Sequence, residues 1–506
     1  MQCAVVSDAG GPMVLDKPLA GGDRAIALYN STDKLATVGV AAGDTGLARA
    51  PAYRLHDVWS GKDLQAGTTI AAAVPPHGTV VYRVRPMAGP MAVPPSVTVG
   101  AGLATLVPGA EHAGVLTTMV TDRGGTGLTG VRVRVQAPQG WTVRPTSPPT
   151  AGKLAPDAAL TTTWQVTVPD GSAAGRYPLT ITASYGWGPH HRPAATSTGL
   201  DADVVTAPAS GRWHLSALPT AAETDAEFDQ SVGGAGIGDG NLITIAGHYY
   251  TRGLGVAAPD ELLYYLGGTC SSLTTDVGVD DEDNAGTARF TVYADDTAVV
   301  SSGTMASGGA ATTLTAGLSG IQRLPLAVDG TAGTHADWAA PVLTCGSAGP
   351  DDPVAPASRT LLSFEDGTDG FGIANPEQGG SVAGSSAFAT DGTHGLQVEP
   401  PVNGNWFGVA LTSPLDLTGT RALKYDVRAG QAGTSGEIAI QAGPDNTWCQ
   451  GGKWAWTNAH ASRSITESID DISCPGGAPP DPTQVHGIWV FLNGGAAAEI
   501  DNIRAE

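Results

Sequence analysis

The sequence predicts an all-β chain built as tandem β-sandwich domains. Three observations carry that expectation. Short runs alternate between apolar and polar residues, as in residues 131–135 (VRVRV) and 163–168 (TWQVTV), and a period of two is the signature of half-buried strands. Glycine (70) and proline (36) make up about a fifth of the 506 residues and gather between those runs, where turns need them. No stretch of helical length shows 3.6-residue apolar periodicity, and no apolar run approaches the ~18–20 residues that span a bilayer. At roughly 100–200 residues per domain, the length allows three or four domains.

The net charge of −22 argues against nucleic acid as a partner, because phosphate binding needs clustered Lys and Arg. The charge is uneven. Residues 1–207 carry 15 Lys+Arg against 13 Asp+Glu, and residues 208–506 carry 11 against 35. The acidic half reads either as a solvated surface or as a source of oxygen ligands for calcium. Four of the five cysteines form sequence-local pairs, Cys270/Cys345 and Cys449/Cys474, and no CxxC spacing suggests zinc or redox chemistry. Two disulfides are therefore expected, in an oxidising compartment. Loop closure makes them worth at most about 4.5 and 3.5 kcal/mol. Cys3 is left over. Residues 1–8 lack the basic start and apolar core of a signal peptide, so the expectation is a piece of a longer secreted protein, extracellular and monomeric.

Residues 1–88 hold alternating strands at 24–30 (RAIALYN), 53–59 (YRLHDVW) and 78–84 (GTVVYRV), separated by turn clusters, which is the pattern of an antiparallel sheet. Residues 17–30 (KPLAGGDRAIALYN), 53–59 and 74–80 (VPPHGTV) resemble, in order, the C-terminal β-domain of family 27 glycoside hydrolases, the α-galactosidases. In that family the domain follows a (β/α)8 barrel carrying two catalytic Asp residues. Such a barrel needs about 250 residues, and nothing ahead of residue 17 supplies it. His56, Asp57 and His77 read as strand-edge and turn residues.

Residues 93–206 carry about seven short strands over ~100 residues, which suggests an immunoglobulin-like sandwich. Residues 140–143 (GWTV) and 175–179 (GRYPL) resemble the immunoglobulin-like domain that follows bacterial α-galactosidase domains. No site chemistry is visible, and the segment reads as a spacer.

Residues 210–346 contain, in order, GLGVAAP (253–259), LYYLGG (263–268), DVGVDDE (276–282), FTVYAD (290–295) and HADWA (335–339). This series resembles the carbohydrate-binding module of family 51, also called NPCBM, a galactose-binding-like jelly roll. The resemblance implies binding of terminal galactose or related glycans and a structural calcium. It departs from the family at Ala257, where a His is usual, and at residues 220–223 (TAAE), where a Trp is usual, and both departures imply altered or weakened binding. His335, Asp337 and Trp338 are the candidate sugar contacts. For residues 280–283 (DDED) two readings stay open: a carboxylate cluster holding a cation, with Asp280 and Asp281 as ligands, or sugar hydroxyls, and a turn closed by side-chain hydrogen bonds.

Residues 358–506 open on LLSFEDGTDGF (361–371) and close on AEIDNI (498–503). That pairing resembles a second jelly-roll class of carbohydrate-binding modules, found on cellulases and mannanases, in which an early acidic residue and a late Asp converge on calcium. The resemblance implies Glu365 and Asp501 as ligands, with backbone carbonyls completing the shell. Sugar rings pack C–H faces on flat aromatic rings, so Trp406, Trp454 and Trp456 are candidate platforms. Trp454 and Trp456 lie two apart and share a strand face. Trp489 sits in a continuous apolar run and reads as core. Gln441, Gln450 and Lys453 are candidate hydroxyl partners.

No phosphate loop, HExxH or nucleophile elbow is present. Paired carboxylates abound, but a glycosidase needs two held about 5–10 Å apart in a cleft, so catalysis by this chain alone is not expected. The expected function is carbohydrate binding, as the non-catalytic C-terminal portion of a secreted α-galactosidase-like hydrolase acting on galactosides, galactomannan or other plant or microbial polysaccharide. A stand-alone lectin-like protein and a spacer with lost binding are the alternatives. Pro- and Gly-containing linkers predict interdomain motion.

Overall fold

The computed structural model describes the chain except residues 1–3, 9–10, 33, 90–92, 110–111, 223, 233–240, 284, 356–357 and 456–461. Cys3 and Trp456 therefore lie outside the described residues. Among those described, all regular structure is strand apart from five short 3-10 turns, as the glycine- and proline-punctuated alternation requires. The chain divides into two compact units, residues 1–206 and 207–506.

In the first unit a six-stranded sheet has strands in the order Ala4–Asp8, Pro12–Pro18, Arg24–Asn30, Thr79–Met87, Ala52–Asp57 and Asp63–Ala66. A two-stranded antiparallel sheet of Ala36–Ala41 and Thr69–Val74 packs on it around Ile26, Leu28, Leu55 and Ile70. His56 Nδ1 bonds Asp63 of the neighbouring strand at 3.0 Å, and Asp57 accepts the turn amides of Trp59 and Ser60. Further along, two four-stranded sheets face each other over Leu116, Val133, Trp164 and Ile181. The Trp164 indole N–H donates to Thr118 at 2.9 Å, as a buried indole must.

The second unit contains two sandwiches, each with its own core. In the first, Cys270–Val279, His335–Cys345 and Gly253–Ala257 lie side by side in one sheet, and Asp260–Tyr265, Arg323–Gly330, Thr287–Ala294 and Thr297–Ala306 form the other. Phe290, Trp338, Leu273 and Val277 fill the space between them, and the Cys270–Cys345 disulfide ties two neighbouring strands. A small hairpin, Ile243–Ile245 with His248–Tyr250, lies on the outer face of the first sheet. It can do so because residues 253 and 278 are glycines, where a Cβ would collide with Ile243 or Ile245.

In the second sandwich the strands Ser381–Ser385, Gly395–Glu399, Ala498–Ala505, Ala422–Ala429 and Ser462–Ser468 make one sheet. Gly372–Ile373, Asn405–Leu415, Val485–Leu492, Ser435–Ala442 and Thr447–Ala455 make the other. Phe407, Tyr425, Ile440, Val490 and Ile500 pack between them, and the Cys449–Cys474 disulfide is present.

Candidate functional site

The acidic turn at residues 280–283 divides its labour. Asp280 Oδ1 accepts the Glu282 amide, and its Oδ2 accepts the Thr244 amide, both at 2.9 Å. Asp281 accepts the amides of Ala246 (2.9 Å) and Gly247 (2.6 Å). These two residues clamp the hairpin, which is the turn reading of this run.

Glu282 faces the other way. Its carboxylate meets His335 Nδ1 at 2.9 Å, accepts the Ser231 hydroxyl at 2.7 Å, and accepts the Asn241 side-chain amide. Burial pushes the Glu282 carboxyl up, but the bonds from His335, Ser231 and Asn241 outweigh it and hold the carboxyl below its ordinary value. The same pairing raises the His335 imidazole against the effect of burial. His335 and Glu282 keep 26% and 24% of their side chains exposed, so this polar cluster is open to a ligand. On the adjacent strand Ala257, the exposed position where the family resemblance places a His, pairs with His335.

Asp337 and Trp338 are corrected as sugar contacts. Both are fully buried. Their strand is central in the sheet and covered on both faces, so alternation exposes neither. Trp338 stands edge-on to Phe290 at 5.1 Å in the core. No donor among the described residues reaches Asp337, so its contact with Asp280 is a hydrogen bond only when one of the two carboxyls is protonated. Burial pushes Asp337 well above the usual carboxylate range, helped by the Asp280 charge. Burial also takes Asp280 up to about 6.

The second candidate surface is the outer face of the sheet that contains Val485–Leu492. Ile488, Val490 and Leu492 point to the core, so Trp489 and Phe491 point away from it. Trp489 is thus corrected from core to surface. Trp406 contacts Trp448 edge-on at 4.9 Å and Phe491 at 5.4 Å, and Trp448 reaches Trp489 at 5.8 Å. All four rings are half-buried. Gly408 and Gly487 leave the room in which the Trp489 ring lies. Polar groups flank the rings: Gln441 accepts the Trp489 indole N–H at 3.1 Å, and Gln450 donates to Glu437 at 2.7 Å. Lys453 stands 3.8 Å from Glu437 with its side chain mostly exposed. Trp454 belongs elsewhere. Its indole N–H donates to the buried Tyr425 hydroxyl at 2.5 Å, and it lines a cleft of about 310 Å³ with Phe228, Lys424, Arg463 and Glu467.

Glu365 and Asp501 hold one loop between them. Glu365 accepts the amides of Thr393 (2.9 Å) and His394 (2.8 Å), while Asp501 Oδ2 accepts those of Thr390 (2.6 Å) and Asp391 (3.0 Å). Asp501 Oδ1 is buried without a partner, and burial carries this carboxyl up to about 6. Among the described residues, no group of three or more His, Cys, Asp or Glu side chains is arranged to hold a metal ion.

Comparison with known proteins gives three family matches. Residues 9–84 match the α-galactosidase C-terminal β-sandwich domain, residues 107–186 the NPCBM-associated NEW3 domain of α-galactosidase, and residues 212–344 the NPCBM/NEW2 domain. A Renibacterium salmoninarum protein named as an endo-α-N-acetylgalactosaminidase is 32% identical over 242 residues, covering 45% of this chain. This chain spans only 16% of that relative's length. Among solved structures, the family 51 module of a Clostridium perfringens GH95 protein, in complex with methyl-galactose, is 27% identical over 26% of this chain and 99% of its own (TM-score 0.23). A GlcNAc complex of C. perfringens ZmpB domains is 18% identical over 34% and 38% (TM-score 0.24). A Geobacillus stearothermophilus GH27 β-L-arabinopyranosidase is 22% identical over 17% and 20% (TM-score 0.16). In chain order, the three family matches fit a C-terminal accessory region of a family 27-type α-galactosidase.

Proposed function

We propose that this chain binds carbohydrate, as the non-catalytic C-terminal portion of a secreted α-galactosidase-like hydrolase, and brings that enzyme to galactose-containing glycans or plant polysaccharide. The His335–Glu282 pair, about a quarter exposed and bonded to Ser231 and Asn241, carries the reading. It offers fixed donors and acceptors at the open end of the domain matched as NPCBM/NEW2, which is what vicinal sugar hydroxyls require. The face built from Trp406, Trp448, Trp489 and Phe491, flanked by Gln441 and Gln450, is the second binding surface. It is suited to the C–H faces of a polysaccharide chain, because flat half-buried rings offer apolar area without a deep pocket.

Calcium fits the loop at residues 390–394. The buried Asp501 Oδ1 has no partner, Glu365 holds the opposite end of the same loop, and backbone carbonyls would complete the oxygen shell this ion takes. When bound, it supplies positive charge that offsets the cost of burying the carboxylate. Calorimetric titration of the chain with methyl-galactoside, GlcNAc, galactomannan and β-glucan, each with calcium and with excess EDTA, tests the proposal. Heat with a monosaccharide that Glu282→Gln abolishes supports the first surface, and heat with a polysaccharide that Trp489→Ala abolishes supports the second. No heat with any ligand from folded protein sinks both.

A further inference from the structure

We propose that the sandwich at residues 358–506 positions the His335–Glu282 site of its neighbour, through the two chain stems that carry Ser231 and Asn241. This rests on reading that cluster as the sugar site. The stems bond each other, Ser231 N–H to the Asn241 carbonyl at 2.8 Å and Asn241 N–H to Ser231 Oγ at 3.1 Å. Each sends one side-chain donor to Glu282. Two residues before Ser231, Asp229 is gripped by Arg252 at 2.8 Å and by Lys424 of the second sandwich at 3.4 Å. Lys424 also reaches Glu506 at 3.0 Å. One residue after Asn241, the Leu242 amide donates to the Ser462 carbonyl at 2.8 Å.

The hairpin that follows is held from both sides. The Tyr249 ring stands on Phe388 at 5.4 Å and its hydroxyl accepts from Arg428 at 3.4 Å. On the opposite side, the amides of Thr244, Ala246 and Gly247 bind Asp280 and Asp281, the residues that lead into Glu282. One element thus links the second sandwich both to the donors that hold Glu282 and to the turn that presents it. Hydrogen bonds weaken steeply with small departures in distance and angle, so the docking of residues 358–506 sets how Glu282 and His335 face a ligand.

The test uses the full chain and two variants outside the cluster, Lys424→Met and Tyr249→Leu, with Glu282→Gln as the control for the site itself. Folding is checked by circular dichroism, and Tyr249→Leu keeps the buried charges in place should Lys424→Met unfold. Methyl-galactoside and GlcNAc are titrated by calorimetry, and the Asn241 side-chain amide resonances are followed in 15N spectra. The expected result is a loss of affinity of about threefold or more in each folded variant, together with shifted Asn241 resonances. Unchanged affinity and unchanged resonances in a folded variant overturn the proposal. If neither sugar binds the parent chain, the sugar reading fails by itself. The resonances then decide the positioning role: a shift upholds it, and no shift removes it.

Discussion

Glu282 accepts from His335, Ser231 and Asn241 at once, and that defines what its substitution does. Glu282→Gln removes the charge and leaves one acceptor oxygen where there were two. A hydrogen bond to a charged group is worth about 1.5–3 kcal/mol, so monosaccharide affinity is expected to fall at least tenfold while the thermal midpoint moves by only a few degrees; titration calorimetry and a melt read the two quantities. Ala257 is the complementary case. It is exposed and directly across from His335, so Ala257→His adds a second imidazole at the open end of the sheet, and tighter sugar binding by about fivefold is expected on the scale of one hydrogen bond. Binding that is unchanged or weaker would show that the vacancy at Ala257 is not what limits affinity. The residues of this site were only half legible. The acidic run 280–283 and His335 stand out in the sequence, but the division into clamp and site depends on hairpin amides some 35 residues upstream, which no local pattern marks. Asp337 and Trp338 misled because a polar–aromatic motif looks like a binding edge, whereas their strand is central and covered on both faces.

The strand Val485–Leu492 shows the same limit one level up. Its period-two pattern was legible, with Ile488, Val490 and Leu492 against Trp489 and Phe491. Because both faces are apolar, the pattern could not say which face is core, since continuous apolar strands read as buried on both sides. The discriminating signal lay in the neighbours: Gly408 and Gly487 leave space only on the Trp489 side. Trp448 and Phe491 went unassigned for the same reason, and Trp454 lies apart from them at a separate cleft, its indole N–H held by Tyr425 of the opposite sheet. The element therefore makes a split prediction. Trp489→Ala is expected to reduce polysaccharide binding at least tenfold in affinity electrophoresis with little change in urea midpoint. Trp454→Ala is expected to cost roughly 2–3 kcal/mol of stability, through lost packing and an unpartnered buried hydroxyl, while leaving polysaccharide binding in place. If Trp454→Ala abolishes binding and Trp489→Ala does not, the surface has been assigned to the wrong side of the sheet.

At the scale of residues 207–506, the Pro- and Gly-containing linker at 346–358 predicts motion between the last two sandwiches, and contacts on both sides of it work against that motion. Val354–Ala355 adds a parallel strand beside Gly211–His214, so the linker is itself tied into a sheet. Beyond it, Asp229, Arg252, Lys424 and Glu506 form a cluster whose side chains are only 10–15% exposed. Partners separated by about two hundred residues leave no trace in local composition, which is why this junction was illegible. Its charges are buried, so removing one is costly: Arg252→Met leaves Asp229 and Glu506 short of a partner and is expected to destabilise the pair of sandwiches by about 3–5 kcal/mol. Asp229 also sets a pH window. Burial pushes its carboxyl up, but Arg252 and Lys424 outweigh that and hold it below 3.8. A carboxyl lowered on folding contributes stability above its unfolded value, and that stability is lost as pH falls through the folded value. Residues 207–506 are therefore expected to unfold in urea as one cooperative unit at pH 6–8 and to split into two transitions only below about pH 3.8. Arg252→Met brings that split to neutral pH. Two transitions at pH 7 in the parent chain would mean that the linker, and not the buried charges, governs how the sandwiches move.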